Sequence, residues 1–220
     1  MDKKTLQEKY LEKTTEMEDS PVFNFLNTLD KNKQYKYLEV GAGTGRFPLL
    51  VKQKYKNIDV KCLEINKKLS EKLIESGLET TVGSVLDMPY EDNHFDIVHC
   101  SHLIEHFGYP DITKVLDELF RVTKIDGYVI IRTPLMHPNF YNDIDHIRPY
   151  PLKTIIQYFN NEQQQVTSKF KAKLISYWNR HWGRENLSVG FINKVLKTLW
   201  FYFNWPKSKA TGYVAIFRKI

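Results

Sequence analysis

Between residues 35 and 134, short runs of consecutive apolar residues alternate with stretches whose apolar positions recur every three or four residues. Tyr35–Val40, Val60–Ile65, Thr80–Gly83, Phe95–Cys100 and Tyr128–Arg132 have the length of strands, and continuous apolar runs suit strands covered on both faces. Phe47–Lys56, Lys67–Ser76 and Asp111–Thr123 have helical spacing. The last carries Ile112, Val115, Leu116 and Leu119 on one face, and Asp126-Gly127 then turns the chain. Strands alternating with helices of this length predict an α/β fold, a doubly wound and mostly parallel sheet. Residues 5–29 read as helical, with a break at Ser20-Pro21. Beyond Pro134 the pattern loosens: Met136–Pro151 is expected as a structured loop and Leu152–Phe159 as the start of a helix. A strand is expected within Lys169–Trp178, a helix over Phe191–Phe203 and a closing strand over Gly212–Arg218. No repeat of fixed period is visible, and Gln163-Gln164-Gln165 is the low-complexity run. The expected organisation is one domain over 1–220: an N-terminal helical cap at 1–30, a ligand-binding core at 35–134 and a decorated region at 135–220.

The first strand ends in Leu38-Glu39-Val40-Gly41-Ala42-Gly43-Thr44-Gly45-Arg46-Phe47. Glycines at a strand-to-helix turn let a ligand lie against the backbone at the carboxyl end of the sheet. Nineteen residues after Gly45, Glu64 in Cys62-Leu63-Glu64-Ile65 closes the next strand, where a carboxylate can accept from both hydroxyls of a ribose. Asp87, in Gly83-Ser84-Val85-Leu86-Asp87-Met88-Pro89-Tyr90, follows the third strand and can accept from an adenine amino group while Met88 packs on the ring. Each feature has a plain structural reading, as a common turn, a solvated acid or a turn-forming Asp; their order along the chain favours a nucleotide site. A nicotinamide dehydrogenase shares the glycine turn and the acid about twenty residues on. Its fingerprint is Gly-x-Gly-x-x-Gly, and Arg46 stands where the third glycine would be.

These elements resemble the class I S-adenosylmethionine-dependent methyltransferases, in particular the type 11 small-molecule group. The resemblance runs from about Tyr35 to Pro134. It includes Phe95-Asp96-Ile97-Val98-His99-Cys100-Ser101-His102-Leu103-Ile104-Glu105-His106 and Leu119-Phe120-Arg121-Val122-Thr123-Lys124-Ile125-Asp126-Gly127-Tyr128-Val129-Ile130-Ile131. It implies a Rossmann-like seven-stranded sheet whose last strand runs antiparallel, and S-adenosyl-L-methionine as cofactor. The cofactor-binding set it implies is Glu39, Gly41, Gly43, Gly45, Glu64, Ile65, Asp87 and Met88, with Cys100 and Ser101 meeting the methionine part through backbone atoms.

Methyl transfer from a sulfonium needs an aligned nucleophile, and a hydroxyl acceptor also wants a base, for which histidine is the default. His102, His106, His137 and His146 follow the fourth and fifth strands, where an open α/β sheet places its ligands. His146 lies in Asn142-Asp143-Ile144-Asp145-His146-Ile147-Arg148-Pro149-Tyr150-Pro151, and a His followed by Arg and an aromatic resembles an acceptor-facing segment of related methyltransferases. The catalytic candidates are therefore His146, with Asp145 orienting it, and His106. His106 can instead simply fix its loop, and Asp143 and Asp145 can be turn residues. No metal ligand set is read, since Asp143, Asp145 and His146 adjoin one another without a visible fourth ligand. Enzymes acting on exocyclic base nitrogens usually carry Asp/Asn-Pro-Pro-Tyr where this chain has Cys100-Ser101-His102-Leu103. Cytosine C5 chemistry needs a nucleophilic cysteine, commonly after a proline, which Cys100 lacks. Nucleic acid is thus the less favoured acceptor class.

Composition adds one asymmetry. The chain carries a net charge of +6. Residues 166–220 hold eleven Lys or Arg against the single acid Glu185, together with all four tryptophans, so the remainder is net acidic. Over Ser188–Lys207, Phe191, Ile192, Val195, Leu196, Leu199, Trp200 and Phe203 follow helical spacing, and Phe201, Tyr202 and Trp205 widen the apolar surface. Such a helix packs as a lid or core element, forms a dimer contact, meets RNA or lies on a membrane surface. Two cysteines in apolar runs, a charged start and no long apolar stretch predict a cytoplasmic protein, with attachment to the inner membrane face as the tail's alternative. The expected activity is methyl transfer to a small-molecule, sugar or glycolipid-type acceptor at oxygen, by a monomer or homodimer. The alternatives are an RNA methyltransferase and a cofactor-binding protein without turnover.

Overall fold

The computed structural model describes residues 6–162, 165–183, 195–196, 198–199, 202–203 and 207–220. Seven strands form one sheet in the order β3-β2-β1-β4-β5-β7-β6. They are β1 Tyr35–Val40, β2 Ile58–Glu64, β3 Glu79–Val82, β4 Phe95–Ser101, β5 Thr123–Pro134, β6 Ala172–Gly183 and β7 Lys207–Lys219. The helices are α1 Leu6–Leu26, α2 Arg46–Lys54, α3 Lys67–Glu75, α4 Asp111–Val122 and α5 Leu152–Phe159. Strands β1 to β5 are parallel, whereas β7 is antiparallel to both β5 and β6. The doubly wound sheet and its reversed final strand are as expected, although β7 begins at Lys207, before the anticipated Gly212.

Neighbouring residues along a strand serve opposite cores. Leu38, Val98 and Ile131 join a cluster with Ile112, Val115, Leu116 and Leu119 of α4 and with Ile155 and Phe159 of α5. Tyr37, Ile97 and Ile130 join a second cluster with Val22, Phe25 and Leu26 of α1, Phe47 and Val51 of α2 and Leu73 of α3. Burial on both faces explains why these strands read as uninterrupted apolar runs. The antiparallel end is pinned by Lys219, 3% exposed, whose Nζ donates to the carbonyls of Phe120 and Thr123 and to Asn93 Oδ1. Part of the positive charge near the C-terminus is therefore structural.

The expected break at Ser20-Pro21 does not occur: α1 runs through Pro21. A proline within a helix removes one backbone hydrogen bond, so tertiary contacts on either side must hold the helix together. Val22 and Leu26 provide them on the C-terminal side, buried in the core. Glu18 and Asp19 provide them on the other. Arg46 donates to both Asp19 oxygens at 2.6 and 2.9 Å, and Arg132 Nη1 donates to Asp19 Oδ1 at 2.8 Å. Glu18 pairs with Arg132 and Arg180, and its Oε2 lies 3.6 Å from His102 Nε2. Arg46 opens α2 after the turn that follows β1, His102 immediately follows β4, and Arg132 and Arg180 stand near the ends of β5 and β6. The two acids thus fasten α1 over the carboxyl edge of the sheet. The expected helix over Phe191–Phe203 lies largely outside the described residues. Within it, Val195, Leu196, Thr198, Leu199, Tyr202 and Phe203 are helical, with Val195, Tyr202 and Phe203 exposed.

Burial alone would raise the Glu18 pKa, but His102, Arg132 and Arg180 outweigh it and hold the carboxyl well below the usual range. A depressed carboxylate stabilises the fold above its unfolded pKa and loses that contribution as pH falls through the folded value. Glu18→Gln should therefore lower unfolding stability at pH 7 by about 3 kcal/mol. In denaturant titrations across pH, the gap to wild type should shrink below about pH 4. A gap that stays constant on acidification would contradict this assignment.

Candidate active site

The glycine turn after β1 is held by β2. Gly41 and Ala42 donate to the Leu63 carbonyl at 2.9 and 3.3 Å. Gly45, at φ +78°, caps α2, and a Cβ there would sit 2.4 Å from Leu73 Cδ2, so glycine is required for both reasons. Gly43, at φ +54°, has nothing within 4 Å of the place a Cβ would take, which leaves the turn open on its outer side. Glu64, 6% exposed, accepts from Gly43 N at 2.8 Å through Oε2 and from Asn66 N at 2.9 Å through Oε1. Each oxygen keeps a further lone pair for an outside donor. Beside it Ile65 is 71% exposed, an apolar surface with no protein cover. Gly83 N donates to the Glu64 carbonyl, so the residues after β3 join the same edge.

Beyond β4 the chain makes a 3-10 turn at Ile104–His106, onto which the 136–151 loop is latched. Ile147 N and Arg148 N donate to the Glu105 carbonyl at 2.9 and 3.3 Å, and Tyr150 OH donates to the Phe107 carbonyl at 2.6 Å. The latch brings His106 and His146 together, with ring centroids 4.9 Å apart. The expected pairing of Asp145 with His146 is replaced by another. Asp145 Oδ2 lies 3.3 Å from His106 Nδ1, while Asp143 Oδ2 is the carboxylate near His146, 3.6 Å from Nε2. Consecutive loop residues point apart, so adjacency in the chain misdirects this assignment. His102 stands between Glu105 and Glu18, at φ +50°. Burial opposes its protonation, but the two carboxylates prevail and raise its pKa.

A family of methyltransferase domains matches residues 38–131, which contain the glycine turn, Glu64 and the Glu105-His106 pair. Those residues are a methyltransferase domain of the class I, S-adenosylmethionine-dependent kind. It is 28% identical over 173 residues to an uncharacterised protein of Methanocaldococcus jannaschii, covering 70% of this chain and 72% of that one. It is 36% identical over 111 residues to ajmaline N-methyltransferase of Rauvolfia serpentina, across 46% of this chain but only 36% of the plant enzyme. The fold matches the crystal structure of an S-adenosylmethionine-dependent methyltransferase from Archaeoglobus fulgidus with a TM-score of 0.62 at 19% identity, covering 91% and 92% of the two chains.

S-adenosylmethionine is the methyltransferase's cofactor, and the edge described above fits it. The spare acceptor positions of Glu64 suit ribose hydroxyls, exposed Ile65 suits an adenine face, and the open side of Gly43 admits a close ligand. Other expected contacts are placed differently. Glu39 is 2% exposed and accepts from Tyr37 OH at 2.6 Å and contacts His99 Nδ1 at 2.9 Å, so its carboxylate is engaged within the core. Met88 is buried at 2%, and only a small part of it can reach a ligand. Asp87 is exposed in a turn, whereas half-buried Ser84 is the residue next to Gly83 at the Glu64 edge. Cys100 is fully buried and its thiol is pushed well above the ordinary range by that burial, while Ser101 is half-buried at the end of β4. Sequence reasoning missed Glu18, Asp19, Arg132 and Arg180 at this edge. Their one local signal is a pair of acids directly before the apolar positions of α1.

Removing a charged acceptor of ligand hydroxyls forfeits about 1.5–3 kcal/mol per hydrogen bond. Glu64→Ala should accordingly weaken S-adenosylhomocysteine binding by at least about tenfold in isothermal titration calorimetry. Unchanged affinity would remove Glu64 from the site.

Proposed function

We propose that this methyltransferase methylates an oxygen of a small-molecule, sugar or glycolipid-type acceptor that enters beside the His106–His146 pair, with residues 1–220 working as one catalytic unit. The observation that carries the proposal is that pair of imidazoles, joined by the 136–151 loop at the carboxyl edge of the sheet. When bound, S-adenosylmethionine supplies an electrophilic methyl group, so the chain's own task is to orient the acceptor and support loss of its proton. His146 is held for this by its Nδ1, 2.7 Å from the Phe140 carbonyl, and His106 by Asp145. The adenosyl end is assigned to Glu64, Ile65 and the glycine turn, and the methionine end to the backbone of Cys100 and Ser101.

Exposed Met136, Tyr141, Ile144 and Ile147 on the same loop support an acceptor with an apolar portion. A glycolipid-type molecule has both the hydroxyls and the apolar part. No helix among the described residues is long and apolar enough to cross a membrane. Exposed Val195, Tyr202 and Phe203 support contact with a membrane surface instead.

The test is product formation from isotopically labelled donor over a panel of phenols, sugars, lipid-linked sugars and amines. O-methylated product is expected. His146→Ala should lower kcat by about 10²-fold or more with S-adenosylhomocysteine affinity unchanged. Full turnover in that variant, or methylation confined to nitrogen acceptors, would refute the proposal.

A further inference from the structure

The two histidines on the acceptor side direct their Nδ1 atoms to backbone carbonyls. His146 Nδ1 lies 2.7 Å from the Phe140 oxygen and His106 Nδ1 lies 3.2 Å from the Asp145 oxygen. A carbonyl oxygen only accepts, so each Nδ1 carries the hydrogen, and the neutral ring keeps a lone pair on Nε2. Imidazoles that bind metals are held in this way, with the distal N–H fixed by a carbonyl or carboxylate and the other nitrogen offered to the ion. Glu105 supplies a third donor. It is fully buried and its Oε2 accepts from Thr133 Oγ1 at 3.0 Å. Among the described residues its Oε1 makes no hydrogen bond, and it faces His102 Nδ1 at 3.3 Å. A buried carboxylate oxygen in that state favours a facing cation, a role that protonated His102 and a metal ion can share. One ligand atom from each of Glu105, His106 and His146 lies within 4.8 Å of the others. The carboxylates of Asp145 and Asp143 flank the pair on the solvent side, at 3.3 Å from His106 Nδ1 and 3.6 Å from His146 Nε2.

We propose that Glu105, His106 and His146 bind a divalent transition-metal ion. Two imidazole nitrogens with a carboxylate oxygen suit borderline ions such as Zn²⁺ or Mn²⁺, while Mg²⁺ prefers oxygen alone. Donors about 2.1 Å from an ion stand roughly 3–4 Å apart, so the cluster closes on it by side-chain adjustment. Three protein ligands leave open coordination positions. Resting on the reading of this site as one for oxygen methylation, those positions receive the acceptor hydroxyl and lower its pKa, and its proton passes to water. An acceptor with a second oxygen near the first, able to chelate, is the substrate class this selects.

The experiment is calorimetric titration of the untagged full chain with Zn²⁺, Mn²⁺ and Mg²⁺. One equivalent of Zn²⁺ or Mn²⁺ should bind more tightly than Mg²⁺. Affinity should fall by at least about tenfold in His106→Ala and His146→Ala, with His94→Ala unchanged because His94 lies at the opposite end of β4. His106→Gln and His146→Gln, which keep side-chain bulk, should lose binding alike, and Co²⁺ visible absorption should disappear with either histidine. No binding of Zn²⁺ or Mn²⁺, or affinity undiminished in the histidine variants, would overturn the site. Methyl transfer measured on the same samples separates the two readings. Turnover without metal binding defeats only the ion, and metal binding without any methylated product defeats only the activity.

Discussion

One buried carboxylate organises the carboxyl edge of the sheet. Glu64 sits where β2 ends, and its two oxygens tie down backbone amides from different segments, Gly43 in the turn after β1 and Asn66 at the cap of α3. A turn with three glycines at positive φ would otherwise sample many shapes, since glycine restricts the backbone least. Holding one of its amides to an acid from the neighbouring strand selects a single shape and fixes the position of the carboxylate. The parallel pairing of β1 with β2, which sets Val40 beside Leu63, makes that reach geometrically available. The fold and the shape of that edge thus rest on the same strand register.

A second layer of charge lies above this edge. Glu18 and Asp19 of α1 meet guanidinium groups from three separate parts of the chain, Arg46, Arg132 and Arg180. Buried charges of this kind add little net stability when fully paired, but they strongly penalise any arrangement that leaves one of them alone. Their effect is positional: α1 has one docking geometry over the sheet. His102 belongs to the same system and connects it, through Glu105, to the 136–151 loop.

Much of the framework was legible from local pattern. Strands buried on both faces produce apolar runs, and α4 shows its inward face in the spacing of Ile112, Val115, Leu116 and Leu119, so these elements were found close to their observed bounds. The glycine turn and Glu64 were legible because a short motif encodes them at fixed spacing. What escaped depends on distance in sequence. Arg180 and Glu18 stand 162 residues apart, and no local signal links them. The continuity of α1 through Pro21 follows from core contacts that outweigh a local breaker. Asp145 was matched to the wrong histidine because orientation within an irregular loop has no period to read. Glu39 looked like a ligand contact until its inward face placed it against Tyr37 and His99.

The Arg180–Glu18 pair also has a consequence for how the sheet is assembled. Its two ends stand 162 residues apart in sequence, and Arg180 lies on β6, which joins the sheet through β7. Until β6 and β7 are paired, α1 faces an incomplete set of counter-charges and has reason to stay undocked. The carboxyl edge of the sheet therefore gains its roof together with that pairing, and a chain that fails to zip up there would leave the edge open to water.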